Sequence, residues 1–332
     1  MTSPNPTSPS PSPTSPGPEG TDPDVLRSLE SAVGRGAVVV GFDGSERSRQ
    51  AARWAAGEAA SRGARLVVVT VLRGPFPEVV VTPVTMPLPQ LIGEQAVREY
   101  ARDHLAEVAR ECAEVAPGVE VDTRAFDGHP AAVLAEAGRE ARLLVVGATG
   151  ATGLGRVFAG SITTSLAHQA TGPLVVVRGE DDEPDDGRVV VGVDGSEPGR
   201  RAVEFAVDHA ARHGGTLVAV HATTGLPVDA MAPGGALGQG VGLGLDPDRL
   251  TAAADALLAE SLAEPLARRP DIRAERVVSP LRPAQALAEQ ARGAALLVVG
   301  SHGRGAVRRA LLGSVSHAML HDAPCPLAVV RA

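Results

Sequence analysis

The feature that most constrains this chain is that it is written twice. AVVVGFDGSE (37–46) returns as RVVVGVDGSE (188–197), RLLVVGATG (142–150) as ALLVVGSHG (295–303), and GPLVVVR (172–178) as CPLAVVR (325–331). Asp194 follows Asp43 by 151 residues, while Gly300 follows Gly147, and Gly313 follows Gly160, by 153. So small a drift in register means two copies of one domain in tandem, at 36–178 and 188–332. A chain of 332 residues gives each copy enough length to bury its own core. GEDDEPDDG (179–187) reads as a short solvated linker, and residues 1–30, rich in Pro, Ser and Thr, as a disordered tail with little to bury.

Within each copy, short Val/Leu runs alternate with Ala/Arg/Glu-rich amphipathic stretches, the pattern of βαβ units. Strands are expected at about 37–43, 65–72, 119–126, 142–148 and 173–178, and again at about 188–194, 216–222, 272–279, 295–301 and 326–331. Runs such as VVVG and LLVVG are apolar at consecutive positions, which predicts parallel strands covered by helices on both faces. Ala51, Ala52, Ala55, Ala56 and Ala59 mark the buried face of the helix after the first strand. Ser45 and Ser196 stand where that helix begins and are its expected N-caps. Irregular loops at roughly 73–90 and 223–247 read as a flap beside the site or as inert variable loops.

Composition removes several functions. The net charge of −8 argues against a general affinity for nucleic acid or anionic membranes, and an aromatic content of 2% leaves few platforms for stacking bases. The sequence has no lysine, which excludes a Walker A loop and a Schiff-base lysine together. Cys112 and Cys325 stand far apart with no C-x-x-C, as expected of buried thiols in a reducing compartment. No apolar run reaches bilayer length and no signal pattern opens the chain, so the expected location is cytoplasmic.

The chemistry gathers at the ends of strands. Gly147 and Gly150 follow one strand directly, and nine residues later come Gly160 and Ser161; Gly300, Gly303, Gly313 and Ser314 repeat the spacing. Ligands of open parallel sheets bind beyond the carboxyl ends of the strands. Glycines there let backbone N–H groups approach a phosphate, and the following helix start favours an anion. Ser161, Ser314, Thr163 and Ser316 offer hydroxyl donors, and His302 lies inside the second loop. The plain alternative is that the glycines serve tight turns. Asp43 and Asp194 end the first strands at the same edge, suited to a ribose hydroxyl or a phosphate-bound metal, or else to an Asp-Gly-Ser bend. His317 and His321 have a metal-compatible spacing but no evident third ligand.

G-x-x-G, nine residues, then G-[ST], with an earlier strand ending in V-D-G-S, is the hallmark of the universal stress protein family, which the chain resembles over about 36–331. The resemblance implies two tandem Rossmann-like α/β domains of the adenine nucleotide α-hydrolase kind. Each would have a five-stranded parallel sheet of order 3-2-1-4-5, with the domains paired through their last strands. It implies ATP as ligand, with or without Mg2+ or Mn2+. Asp43 and Asp194 would lie against the nucleotide, the glycine loops would hold its phosphates, and Val71 and Ala222 would line the adenine pocket. The expected role is stress response through nucleotide-dependent conformation or partner binding; slow ATP hydrolysis is the alternative. Partners are adenine nucleotide, the other domain in an intramolecular pseudo-dimer, and a further homodimer. The copies also differ. Gly128-His129-Pro130 matches the family's G-x-P, where the second copy has Leu281-Arg282-Pro283, and the first loop lacks the S-H-G-R found at 301–304.

Overall fold

Valine-rich strands become the centre of the molecule because both of their faces are covered. A computed structural model describes residues 29, 33–72, 94–148, 160–178, 185–223, 247–303 and 312–331. The first copy runs β1 (Val38–Gly41), α1 (Glu46–Arg62), β2 (Leu66–Leu72), α2 (Glu94–Val115), β3 (Val121–Asp127), α3 (Pro130–Ala137), β4 (Leu143–Gly147), α4 (Ser161–Gln169) and β5 (Leu174–Val177). The second runs β6 (Arg188–Gly192), α5 (Glu197–His213), β7 (Thr216–Ala222), α6 (Pro247–Ala267), β8 (Ala274–Ser279), α7 (Pro283–Gln290), β9 (Leu296–Gly300), α8 (Ser314–Asp322) and β10 (Leu327–Val330). All ten strands fall within the expected runs, to within a residue or two at their ends.

The strands form one sheet in the order β3-β2-β1-β4-β5-β10-β9-β6-β7-β8. Pairing within each copy is parallel; Val38 lies opposite Leu66 and Leu143, and Val189 opposite Leu217 and Leu296. The copies meet antiparallel, with Leu327 opposite Val176 and Val329 opposite Leu174. Successive strand residues point to opposite faces. Val38 and Val40 therefore join the core beneath α1, α2, α5 and α6, while Val39 joins the core beneath α3, α4, α7 and α8. Both cores run unbroken across the β5/β10 junction.

The starts of α1 and α5 are set by the expected serines, and their ends by glycines. Ser45 Oγ accepts from Ser48 N at 3.2 Å and Ser196 Oγ from Gly199 N at 3.1 Å, while Gly63 and Gly214 end α1 and α5 at φ 57° and 66°. Two arginines then join the copies reciprocally. Arg178, just past β5, donates to the carbonyls of Leu320 and His321 at the end of α8, at 2.5 and 3.0 Å. Arg331, just past β10, donates to those of Ala167 and His168 at the end of α4, at 2.6 and 2.8 Å. Each copy thus satisfies orphan carbonyls at a helix C-terminus of the other, where a cation is also favoured by the helix dipole.

Two positions assigned outside the domains make contacts with them. Leu29, assigned to the tail, is 1% exposed and shares a core with Val33. The end of the linker is also tied down. Asp186 N donates to the Gly293 carbonyl at 2.9 Å, and Asp185 accepts from Gly187 N at 2.9 Å. The rest of the tail and linker, and nearly all of both irregular loops, lie outside the described residues.

Candidate nucleotide cleft

The clearest site stands at the carboxyl ends of β6, β7 and β9, where the chain order reverses. It is a cleft of about 210 Å³ that brings together Asp194, Ala222, Gly300, His302, Gly303, Gly313, Ser314 and Ser316, every residue expected of the second copy. Its wall is apolar where Val193, Ala222, Leu287 and Val299 meet, and polar where Asp194 faces the start of α8. Gly313 caps α8 without a side-chain hydrogen bond, so among the described residues no cap side chain competes for the first-turn N–H groups. An apolar slot beside an uncapped helix N-terminus fits a flat heterocycle carrying an anionic tail.

Four of the motif glycines have a concrete steric reason. A Cβ on Gly300 would stand 2.9 Å from Gly199 N and the Pro198 carbonyl carbon, and one on Gly147 would stand 2.8 Å from the Arg47 carbonyl oxygen. These two glycines therefore let the first turn of α5 or α1 press against the strand end. That close packing, in addition to any approach by phosphate, is what requires them. A Cβ on Gly303 would stand 2.6 Å from Asp194 Oδ2, and one on Gly313 3.0 Å from the His302 Cα. Gly160 caps α4 as Gly313 caps α8, with Ser161 exposed at the first position as Ser314 is. Gly150 lies outside the described residues.

The carboxylates are held by their own turns. Asp194 Oδ1 accepts from Ser196 N at 2.9 Å and Ser196 Oγ at 2.6 Å; Asp43 Oδ1 accepts from Ser45 N at 3.1 Å and Ser45 Oγ at 2.6 Å. The Asp-Gly-Ser bend and the position at the site edge thus coexist. Asp194 is half-buried in the cleft, while Asp43 is exposed. Val71 and Ala222, at corresponding places near the ends of β2 and β7, pack half-buried against the core of the α3/α7 face.

Thr163 and Ser316 turn their hydroxyls toward the protein. Ser316 Oγ donates to the Ser301 carbonyl at 2.8 Å, and Thr163 Oγ1 to the Gly147 carbonyl at 3.0 Å. A hydroxyl has one proton, and here it ties α8 to the end of β9 and α4 to the end of β4. His317 and His321 stack edge to face, their rings 5.0 Å apart.

His221 is a cleft residue that the sequence reading missed. Its Nδ1 donates to the Val193 carbonyl at 2.6 Å, which leaves Nε2 as an acceptor in the neutral ring. In the first copy Thr70 does the same work, donating to the Phe42 carbonyl at 2.8 Å. The signal was the repeat itself, because His221 follows Thr70 by 151 residues. The missing glycine of the second copy is explained as well. Gly128 turns at φ 138°, whereas Leu281 N donates to Ser279 Oγ at 3.2 Å, so a side chain closes the bend.

Fold and cleft together define a tandem doubly wound α/β protein with its ligand position at the switch point. The model of the universal stress protein family matches residues 35–178 and again 187–331. A universal stress protein of Mycolicibacterium smegmatis is 36% identical over 297 residues, covering 89% of this chain and 96% of that protein. One of Mycobacterium tuberculosis is 36% identical over 300 residues, with 89% and 96% covered. The crystal structure of a universal stress protein from Archaeoglobus fulgidus shares the fold, with a TM-score of 0.59 at 19% identity over 89% of this chain and 98% of that one. The chain belongs to the universal stress protein family.

Proposed function

We propose that this protein binds adenine nucleotide, ATP in the first instance, and acts in the cytoplasm as a stress-response regulator through nucleotide-dependent conformation or partner binding. The observation that carries this reading is the convergence of Asp194, the glycine loop and the uncapped start of α8 on one partly apolar cleft. Adenine would lie against Ala222 and Leu287, and the phosphates against the N–H groups after Gly313, with Ser314 as an added donor. Mg2+ or Mn2+ would ride on the phosphates. The two copies, joined through β5 and β10, would act as an intramolecular pseudo-dimer. No helix among the described residues is long and apolar enough to cross a membrane.

A binder is favoured over a catalyst because both aspartates are engaged by serines of their own turns, which suits holding rather than proton abstraction. The test is to purify the full chain, denature it and assay released ATP and ADP, then repeat with Gly303→Ala and Gly150→Ala. Bound nucleotide that falls in the variants supports the reading. A wild type that neither carries nor binds adenine nucleotide overturns it. Turnover abolished by Asp194→Ala would make the protein a slow ATPase.

A further inference from the structure

A second cluster lies between the copies, on the face that carries α1 and α5. Glu58 of α1 is 1% exposed, yet it meets four basic side chains. Its Oε1 pairs with Arg62 at 2.5 Å and Arg212 at 3.4 Å. Its Oε2 faces His213 Nε2 at 2.9 Å and His209 Nδ1 at 3.3 Å. His209 is 4% exposed, and its Nδ1 has no hydrogen-bond partner although that oxygen lies 3.3 Å away. A buried ring nitrogen left in this state is costly unless something else engages it.

We propose that Glu58 Oε2, His209 Nδ1 and His213 Nε2 form a divalent transition-metal site, of the zinc class, that staples the two copies together. Three observations carry this. The three ligand atoms all lie within 4.8 Å of one another. The two nitrogen-to-oxygen separations, 2.9 and 3.3 Å, lie just below and at the edge of a tetrahedron with metal bonds of zinc length, about 3.3 Å. The His209 ring lies parallel to Trp54 and Phe205, with centroids 6.2 and 6.5 Å away and planes within 9°, so its plane is set before any metal arrives.

The surroundings suit such an ion. Arg62 and Arg212 hold Oε1 and leave Oε2 as the ligand, the outer-shell support that ligating carboxylates usually have. Their positive charge works against a hard cation bound by charge alone, so binding rests on the imidazoles, which favour Zn2+, Ni2+ or Cu2+ over Mg2+ or Ca2+. The side chain of His213 is 39% exposed and provides the way in. The metal takes the place of the proton shared between His213 Nε2 and Oε2, and water fills the fourth position.

The test uses the full, tag-free chain stripped with chelator and titrated with Co2+, whose visible absorption reports tetrahedral coordination, with Zn2+ as competitor. One Co2+ per chain is expected, with tetrahedral intensity and release by Zn2+. His213→Ala should weaken binding by more than about tenfold, since loss of even a supporting partner has that effect. His321→Ala should leave binding unchanged. Glu58→Gln, close in shape to the native residue, is the second variant, and Zn2+ should raise the melting temperature of wild type but of neither Glu58→Gln nor His213→Ala. No tetrahedral spectrum in wild type, or one that His213→Ala leaves intact, overturns the proposal.

Discussion

The two copies share a backbone plan and differ in what they place on it. Position for position, Ser48 becomes Gly199, Thr70 becomes His221, Gly128 becomes Leu281 and Glu58 becomes His209. The first three changes surround the cleft. Where Ser48 donates to the Ser45 carbonyl at 2.8 Å, Gly199 has no side chain, and a Cβ there would stand 2.5 Å from Asp194 Oδ1. Asp194 therefore packs onto the start of α5 while Asp43 stays exposed. The lesson is that duplication has kept the frame and released the site, so the two clefts should differ in affinity. The fourth change falls where the copies face each other, and it puts a carboxylate opposite an imidazole. Two identical copies would set Glu against Glu or His against His there, so the substitution favours pairing of unlike halves.

That asymmetry is broken hardest at Glu58. Burial alone would raise its pKa, but the facing His209 and His213 and the charge of Arg62 hold the carboxyl far below its ordinary range. In metal-free protein, Glu58→Ala leaves Arg62 and Arg212 without their buried counter-charge and should cost about 3–5 kcal/mol in urea unfolding. An unchanged midpoint would remove the argument for unlike pairing. Next come Leu134 and Leu287, equivalent leucines that pack against Gly41 and Gly192. Each should lose about 2–5 kcal/mol on change to Ala. Only Leu287→Ala should also alter ligand affinity in the second cleft, and calorimetry with ATP would separate the copies.

The bends after β3 and β8 sharpen the comparison on a smaller scale. Gly128→Ala forces a side chain onto φ 138° and should destabilise by about 1–3 kcal/mol. Leu281 has no such demand, and its bend should instead lose about 0.5–1.5 kcal/mol in Ser279→Ala, when the Leu281 N–H loses its acceptor. The smallest expected effect is none. Burial pushes both the Cys112 and the Cys325 thiols up to about 12. Neither should be alkylated in the native protein at about pH 8, where an ordinary thiol is substantially ionised. Intact mass after iodoacetamide treatment would show any modification.

How much of this was legible in the sequence follows from the range of each interaction. The strands, the N-caps Ser45 and Ser196 and the cleft residues Asp194, Gly303 and Gly313 all rest on local pattern, doubled by the repeat. Thr163 and Ser316 were placed correctly, but hydroxyl direction depends on which carbonyl folds back to meet it, and spacing does not record that. Glu58 and His209 lie 151 residues apart with no motif between them. Aligning the copies on each other, so that Trp54 falls on Phe205 and Glu58 on His209, was the one available clue. Arg178 and Arg331 ended conspicuous repeats, yet their partners belong to the opposite copy and appear only once the strands are joined.

The antiparallel seam also bears on assembly. A single copy would present β5 as an open border with unpaired amides, ready to accept any extended chain. Here β5 and β10 are each hydrogen-bonded on both sides, so that border is consumed within one molecule. The borders that remain, β3 and β8, carry Asp122 and Arg124 on one and Glu275 and Arg276 on the other, charges that discourage lateral growth into fibrils. Growth of the sheet across its borders is thereby disfavoured among the described residues.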